Sequence, residues 1–136
     1  PGGRLAVFAW TPEGSAGEMF RVVGGHLEAS GILLPDGPPP SMWGVEAHVA
    51  GLFAGTGLEL AFERETLELR VGSVRRMMEL YEDAFGPIVM ARRALEPLGR
   101  WQGLRDDLEA LVTRHATAGG AVFEAEYLAV DGRKSG

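Results

Sequence analysis

The 136-residue chain has no cysteine. That excludes a disulfide framework, a thiolate metal site and a cysteine nucleophile. It suits a reducing compartment, so a cytoplasmic location is expected. The chain also lacks any apolar run near the roughly 20 residues that a helix needs to span a bilayer. Its first residues, PGGRLAVFAW, carry no basic, apolar and small-residue leader pattern. No membrane partner is expected. Positive charge is sparse: the net charge is -6 and the pI about 5.0. Such a surface repels phosphate backbones, so no nucleic acid partner is expected either. The pairs Arg75–Arg76, Arg92–Arg93 and Arg133–Lys134 read as solvated helix faces or tail. No two histidines and a carboxylate share metal-ligand spacing, and no serine elbow or phosphate loop occurs.

What is present suffices for one domain with a single core over residues 1–136. Arg4–Trp10 reads as a strand. LAVFA is apolar on both parities, which predicts cover on both faces, as in the parallel sheet of an α/β protein. Thr11 can cap a helix with Pro12 in its first turn, and Ala16, Met19, Phe20, Val23 and Leu27 form its stripe to about Glu28. The segment SGILLPDGPPP is a loop. Ser41 caps a short helix with Trp43, Ala47, Ala50 and Leu52 or Phe53 inward, and Gly55-Thr56-Gly57 stops it.

Residues 58–71 (LELAFERETLELRV) read as a strand whose apolar phase slips. Leu58, Leu60 and Phe62 are even, while Leu67, Leu69 and Val71 are odd. The slip predicts a bulge or sharp twist near Glu63–Thr66. Ser73 caps a helix with Val74, Met77, Met78, Tyr81 and Phe85 in one stripe. Gly86-Pro87 breaks it and opens another to Leu95, and a further helix begins at Trp101 and runs to about Ala116. Residues 121–130 form a last strand, and 131–136 a frayed tail. The sum is three strands and about five helices.

At this point the residues resemble a family. PGGRLAVFAW followed by TPEG resembles the fifth-strand region of class I S-adenosylmethionine-dependent methyltransferases, where a Leu-(Lys/Arg)-Pro-Gly-Gly turn leads into strand five. SMWG is similar to the Pro-x-x-Trp-Gly segment of the ubiquinone/menaquinone-methyltransferase-like group. YEDAFGP is similar to a Tyr-Gly-Pro helix break, and RDDLEALVTRHATAGGAVFEAEYLAV to the final helix and last strand. The resemblance covers nearly the whole chain. It implies the C-terminal half of a Rossmann-like α/β fold, α+β when taken alone, with strand five beside an antiparallel last strand.

The family's S-adenosylmethionine site lies on its first four strands, on a glycine-rich turn after strand one and an acidic residue ending strand two. No GxGxG turn follows a strand here, so this chain has no cofactor-binding residues of that kind. The resemblance thus implies an acceptor-binding fragment, inactive alone, of an enzyme methylating a small hydrophobic acceptor. Without strand four the Arg4–Trp10 edge is unpaired, which predicts a homodimer or domain-swapped assembly.

The candidate acceptor-binding residues are Trp10, Met19, Trp43, Met77, Met78, Tyr81, Phe85 and Met90. Trp10 ends its strand, where parallel α/β proteins place ligands. The others are flexible or flat apolar side chains suited to a hydrophobic acceptor, at a spacing that also builds core. Tyr81 carries a hydroxyl that could orient or deprotonate an acceptor, and His48 is the best-placed base near neutral pH. His26 and His115 fall near helix C-termini, where the dipole suffices to explain them. A second reading is a free-standing, non-enzymatic α+β module that holds an apolar ligand or a protein partner.

Overall fold

The computed structural model describes residues 2–120 and 122–135. In order, the elements are β1 (Arg4–Trp10), α1 (Ser15–Ala29), a 3-10 turn (Pro40–Gly44), α2 (Glu46–Leu52), β2 (Leu58–Arg70), α3 (Val74–Ala84), α4 (Gly86–Leu95), α5 (Trp101–His115), β3 (Ala116–Thr117) and β4 (Val122–Lys134). The fold is mixed α+β. The sheet has the order β1-β4-β2, with β3 also on β4. β1 and β3 each pair antiparallel to β4, where the apolar strand had suggested a parallel sheet.

The chain forms two compact units. The sheet unit comprises Pro1–Gly17, Gly37–Leu67 and Ala125–Gly136; the helical unit comprises Glu18–Asp36 and Glu68–Glu124. Each has its own cluster of buried apolar residues, in place of the single core expected.

In the sheet unit, Val7↔Val130 and Ala9↔Leu128 are opposed in the β1–β4 register. Side chains of opposed residues share a face, and this face packs on α2 through Val49, with Leu60 and Phe62 from β2. Only this side of β1 is covered. Ala6 and Phe8 are exposed, so the expected cover on both faces is absent among the described residues. β2 runs unbroken through Glu63–Thr66. Leu60 and Phe62 join the α2-side cluster, whereas Leu67 stands with Tyr127, which alternates to the other face from Leu128. Even and odd residues therefore keep to opposite sides, and no inserted residue is needed. The phase slip marks the passage of β2 from one unit's core to the other's, where Leu69 and Val71 pack.

Several boundaries differ from the sequence reading, each for a local reason. α1 starts at Ser15, not Thr11, because the Thr11 hydroxyl is bonded to Glu126 and caps nothing. The stretch after Ser41 splits into a 3-10 turn and α2, with Val45 extended between them. Starting α2 at Glu46 turns Val49 inward and leaves Ala47, Ala50 and Leu52 exposed. β4 reaches Lys134 rather than fraying at Asp131: the Lys134 amide donates to Gly3 at 2.9 Å and the Ser135 amide to Gly57 at 3.1 Å. Ala121, the expected first residue of that strand, lies outside the described residues. The Ser73 hydroxyl does cap α3, accepting from the Arg76 amide at 3.0 Å. α2 ends at Leu52 with Phe53 as its C-cap, ahead of the expected stop; Gly55 and Gly57 instead turn the chain into β2, at φ 74° and 71°, where a side chain would be strained.

In the helical unit the stripes of α1, α3, α4 and α5 close on one another. Met19, Met77, Met78, Ile88, Leu95, Leu104, Leu108 and Leu111 are all buried there. Among the described residues no helix is long and apolar enough to cross a membrane.

Candidate functional site

The carboxyl end of β1 carries an open apolar surface. On the face away from α2, Phe8, Ala9, Trp10, Leu67 and Tyr127 line an open cleft of about 360 Å³. Strand alternation places Phe8 and Trp10 together, and the register sets Trp10 opposite Tyr127. Both rings meet Tyr127 edge to face, at 6.1 Å and 60° for Phe8 and 6.2 Å and 86° for Trp10. Such edge contacts are favourable for the ring quadrupoles. The cleft is thus three aromatic rings and a leucine, with one hydroxyl, that of Tyr127.

Next to it the chain is tied by a polar knot. Thr11 is fully buried (0% exposed), so its hydroxyl must find a partner. It donates to Glu126 Oε1 at 2.8 Å, and Arg64 Nη1 donates to the same oxygen at 3.2 Å. The Thr11 amide donates to the Glu126 carbonyl at 3.1 Å, which carries the β1–β4 pairing one residue beyond Trp10. Arg64 also stands 3.8 Å from Glu46 and 3.9 Å from Glu13.

Glycines let the chain close around this knot. A Cβ at Gly44 would overlap the Trp10 carbonyl oxygen, and one at Gly17 would overlap the Pro12 backbone. A Cβ at Gly14 would press on the Thr11 hydroxyl at 3.0 Å. Sequence reasoning missed Thr11, Arg64 and Glu126 as a group. The signal was the parity of AVFEAEYLAV, where Glu126 shares the even face with Leu128 and Val130.

The expected acceptor-lining residues are divided between the two units. Trp10 is half-buried at the cleft. Trp43, 38% exposed, meets Phe53 at 6.4 Å in the sheet unit. Met19, Met77 and Met78 are helical-unit core. Phe85 packs between Phe20 at 6.2 Å and Tyr81 at 5.7 Å. Met90 is 61% exposed, on the opposite side of α4 from buried Ile88, Ala91 and Leu95. Burial raises the pKa of the Tyr81 hydroxyl, so near neutral pH it is a phenol that can donate a hydrogen bond but is a poor base. His48 is half-exposed on α2, one position before Val49.

The two histidines assigned to the helix dipole have specific partners. His26 Nε2 lies 2.7 Å from Asp107 Oδ2, and His115 Nε2 lies 2.6 Å from Glu18 Oε2, so both link α1 to α5. Arg114 bonds the other Glu18 oxygen. The His115 hydrogen bond foremost, with the charge of Arg114, lowers the Glu18 pKa from its ordinary value against the opposing effect of burial. Among the described residues no three His, Cys, Asp or Glu side chains are grouped to hold a metal ion.

No family model matches the chain. It is similar to uncharacterized proteins of Mycobacterium bovis and of two Mycobacterium tuberculosis strains, at 33% identity over 94 residues. The match takes in 67% of this chain but 32% of each relative, so the chain spans about a third of the length of the curated relatives it matches.

Proposed function

We propose that the chain is the acceptor-side portion of a cytoplasmic class I S-adenosylmethionine-dependent methyltransferase acting on a small hydrophobic acceptor. The observation that carries this is the pairing of β1 with β4. The resemblance expects the first strand to lie beside an antiparallel last strand, and β1 does so through all seven residues, from Arg4↔Arg133 to Trp10↔Tyr127. A hairpin meander would instead pair β1 with β2. The length of the relatives is in keeping with a part of something larger.

S-adenosylmethionine would supply an activated methyl group on a good leaving group. The protein's work is then to bring the acceptor into line and to exclude water. On this side of the enzyme Trp10 and Tyr127 form an apolar wall, and the Thr11–Glu126–Arg64 knot fixes the turn from which Trp10 projects. The chain has no glycine-rich strand–turn–helix to hold the cofactor, so cofactor binding falls to the rest of the enzyme. Isolated, the chain is proposed to pair with a second copy along the free edge of β1.

Calorimetry tests this reading. The full-length protein is expected to bind S-adenosylmethionine, and the 136-residue chain alone is not. Tight binding by the short chain, or none by the full-length protein, sinks the proposal.

A further inference from the structure

The carboxyl end of the sheet sets unpaired acid beside its aromatic rings. Strand alternation puts Glu63 and Glu65 on the same face of β2 as Leu67, which lines the cleft. Glu65 is two residues from Leu67, about 7 Å along the strand. Both carboxylates are exposed, and neither has a hydrogen bond or ion pair among the described residues. Next to the cleft, Glu13, Glu46 and Glu126 crowd a single guanidinium, that of Arg64. The sheet unit's other basic side chains stand at the opposite end. Arg4 and Arg133 flank Asp131, at 3.0 Å and 3.8 Å, and Lys134 Nζ donates to the Thr56 carbonyl. Arg4 is six residues before Trp10, about 20 Å in a strand and well beyond the roughly 8 Å screening length of physiological salt. The cleft end of the unit is therefore net negative.

We propose that the cleft takes a small organic cation, an ammonium group on an apolar body. A cation is drawn to the negative faces of aromatic rings, and carboxylates nearby strengthen the pull. Phe8 is 70% exposed, so its ring is open to such a group, and Tyr127 and Trp10 stand beside it. Leu67 supplies apolar contact for the body of the ligand. The volume of about 360 Å³ is that of a small-molecule site. An anion would meet the carboxylates with no cation placed to receive it, because Arg64 is already held by Glu126. This names the ligand class of the cleft that the proposed function treats as the acceptor wall. It rests on that placement of the acceptor and not on methyl transfer.

The test is calorimetric titration of the full-length protein, without S-adenosylmethionine. The probes are benzyltrimethylammonium, neutral benzyl alcohol and anionic phenylacetate. Benzyltrimethylammonium is expected to bind about tenfold tighter than benzyl alcohol, and phenylacetate more weakly than either. Glu63→Gln with Glu65→Gln removes the two unpaired charges; it is expected to weaken the cation about fivefold and leave benzyl alcohol unchanged. Phe8→Leu keeps an apolar side chain without a ring and is expected to weaken the cation about threefold. All three positions are exposed, so these variants keep the fold. Benzyl alcohol or phenylacetate binding as tightly as the cation overturns the proposal. So does a failure of the cation to bind, or a cation affinity unchanged in both variants, which would put the ligand elsewhere. A cation preference in a protein that does not bind S-adenosylmethionine breaks the methyltransferase reading and leaves this one standing. Binding of S-adenosylmethionine with no cation preference does the reverse.

Discussion

The helical unit and the sheet unit bury their apolar residues in different ways. In the helical unit four helices turn their stripes on each other, and Leu95, Leu104 and Leu108 are fully buried. In the sheet unit Val49, Leu128 and Val130 are the buried cluster, on one side of the strands. The other side carries aromatic rings open to solvent. One unit has spent its apolar surface on its own stability. The other keeps some in reserve, beside glycine-cradled backbone and a satisfied polar knot. Surface of that kind is what binding uses, which is why the candidate site is sought there.

The contrast breaks if truncations in the two units cost the same. Leu108→Ala removes a fully buried side chain from the helical core and is expected to cost about 2–5 kcal/mol, through lost burial and a residual cavity. Leu67→Ala trims an exposed leucine of the cleft and is expected to stay within about 0.5 kcal/mol. Urea denaturation of both variants measures the difference. A Leu67 cost near that of Leu108 means the outer face is covered after all.

How far the sequence could be read follows the same division. Helical stripes carry their own period, so the α3 cap at Ser73, the break at Gly86-Pro87 and the core positions Met77 and Met78 were legible. In β1 the period is hidden, because LAVFA is apolar throughout and says nothing about which face is covered. In β2 the period was legible but its cause was not, since a strand that serves two cores looks like a strand with a bulge. The knot was least legible. Thr11 and Glu126 are 115 positions apart, and a threonine before a proline looks like a helix cap until its partner is known. Trp10 was singled out because a strand's carboxyl end is a place where ligands bind, whereas its pairing with Tyr127 follows only from the β1–β4 register.

The knot can be sharpened by an isosteric change. Thr11→Val keeps the volume but removes the donor, so Glu126 loses its 2.8 Å hydrogen bond beside a buried methyl group. Glu126 keeps Arg64 at 3.2 Å, so the expected cost is about 1–2 kcal/mol, the net worth of one hydrogen bond to a carboxylate. Thr11→Ser keeps the hydroxyl and is expected to cost less than about 1 kcal/mol. Denaturation curves followed by tryptophan fluorescence compare the two. Equal costs would mean that Thr11 matters for its methyl group and not for Glu126.

The smallest effect belongs to the helical unit and depends on pH. The Glu18 pKa is lowered in the folded protein, first by the His115 hydrogen bond and then by Arg114. A carboxylate held below its unfolded value stabilises the fold fully above that unfolded value, near 4.5. The contribution fades as pH falls through the lower folded value, where both states become protonated. These groups are partly exposed, so solvent screening holds the contribution to about 1 kcal/mol or less. Glu18→Gln is therefore expected to lower Tm slightly at pH 6–7, and the difference from wild type is expected to close below about pH 4. His26–Asp107 is the second link between α1 and α5, and it stays intact in the variant. A Glu18→Gln difference that persists unchanged into acid would show that the carboxylate's charge is not what joins the two helices. The joint would then rest on the burial of Met19 and Val23 in the helical core.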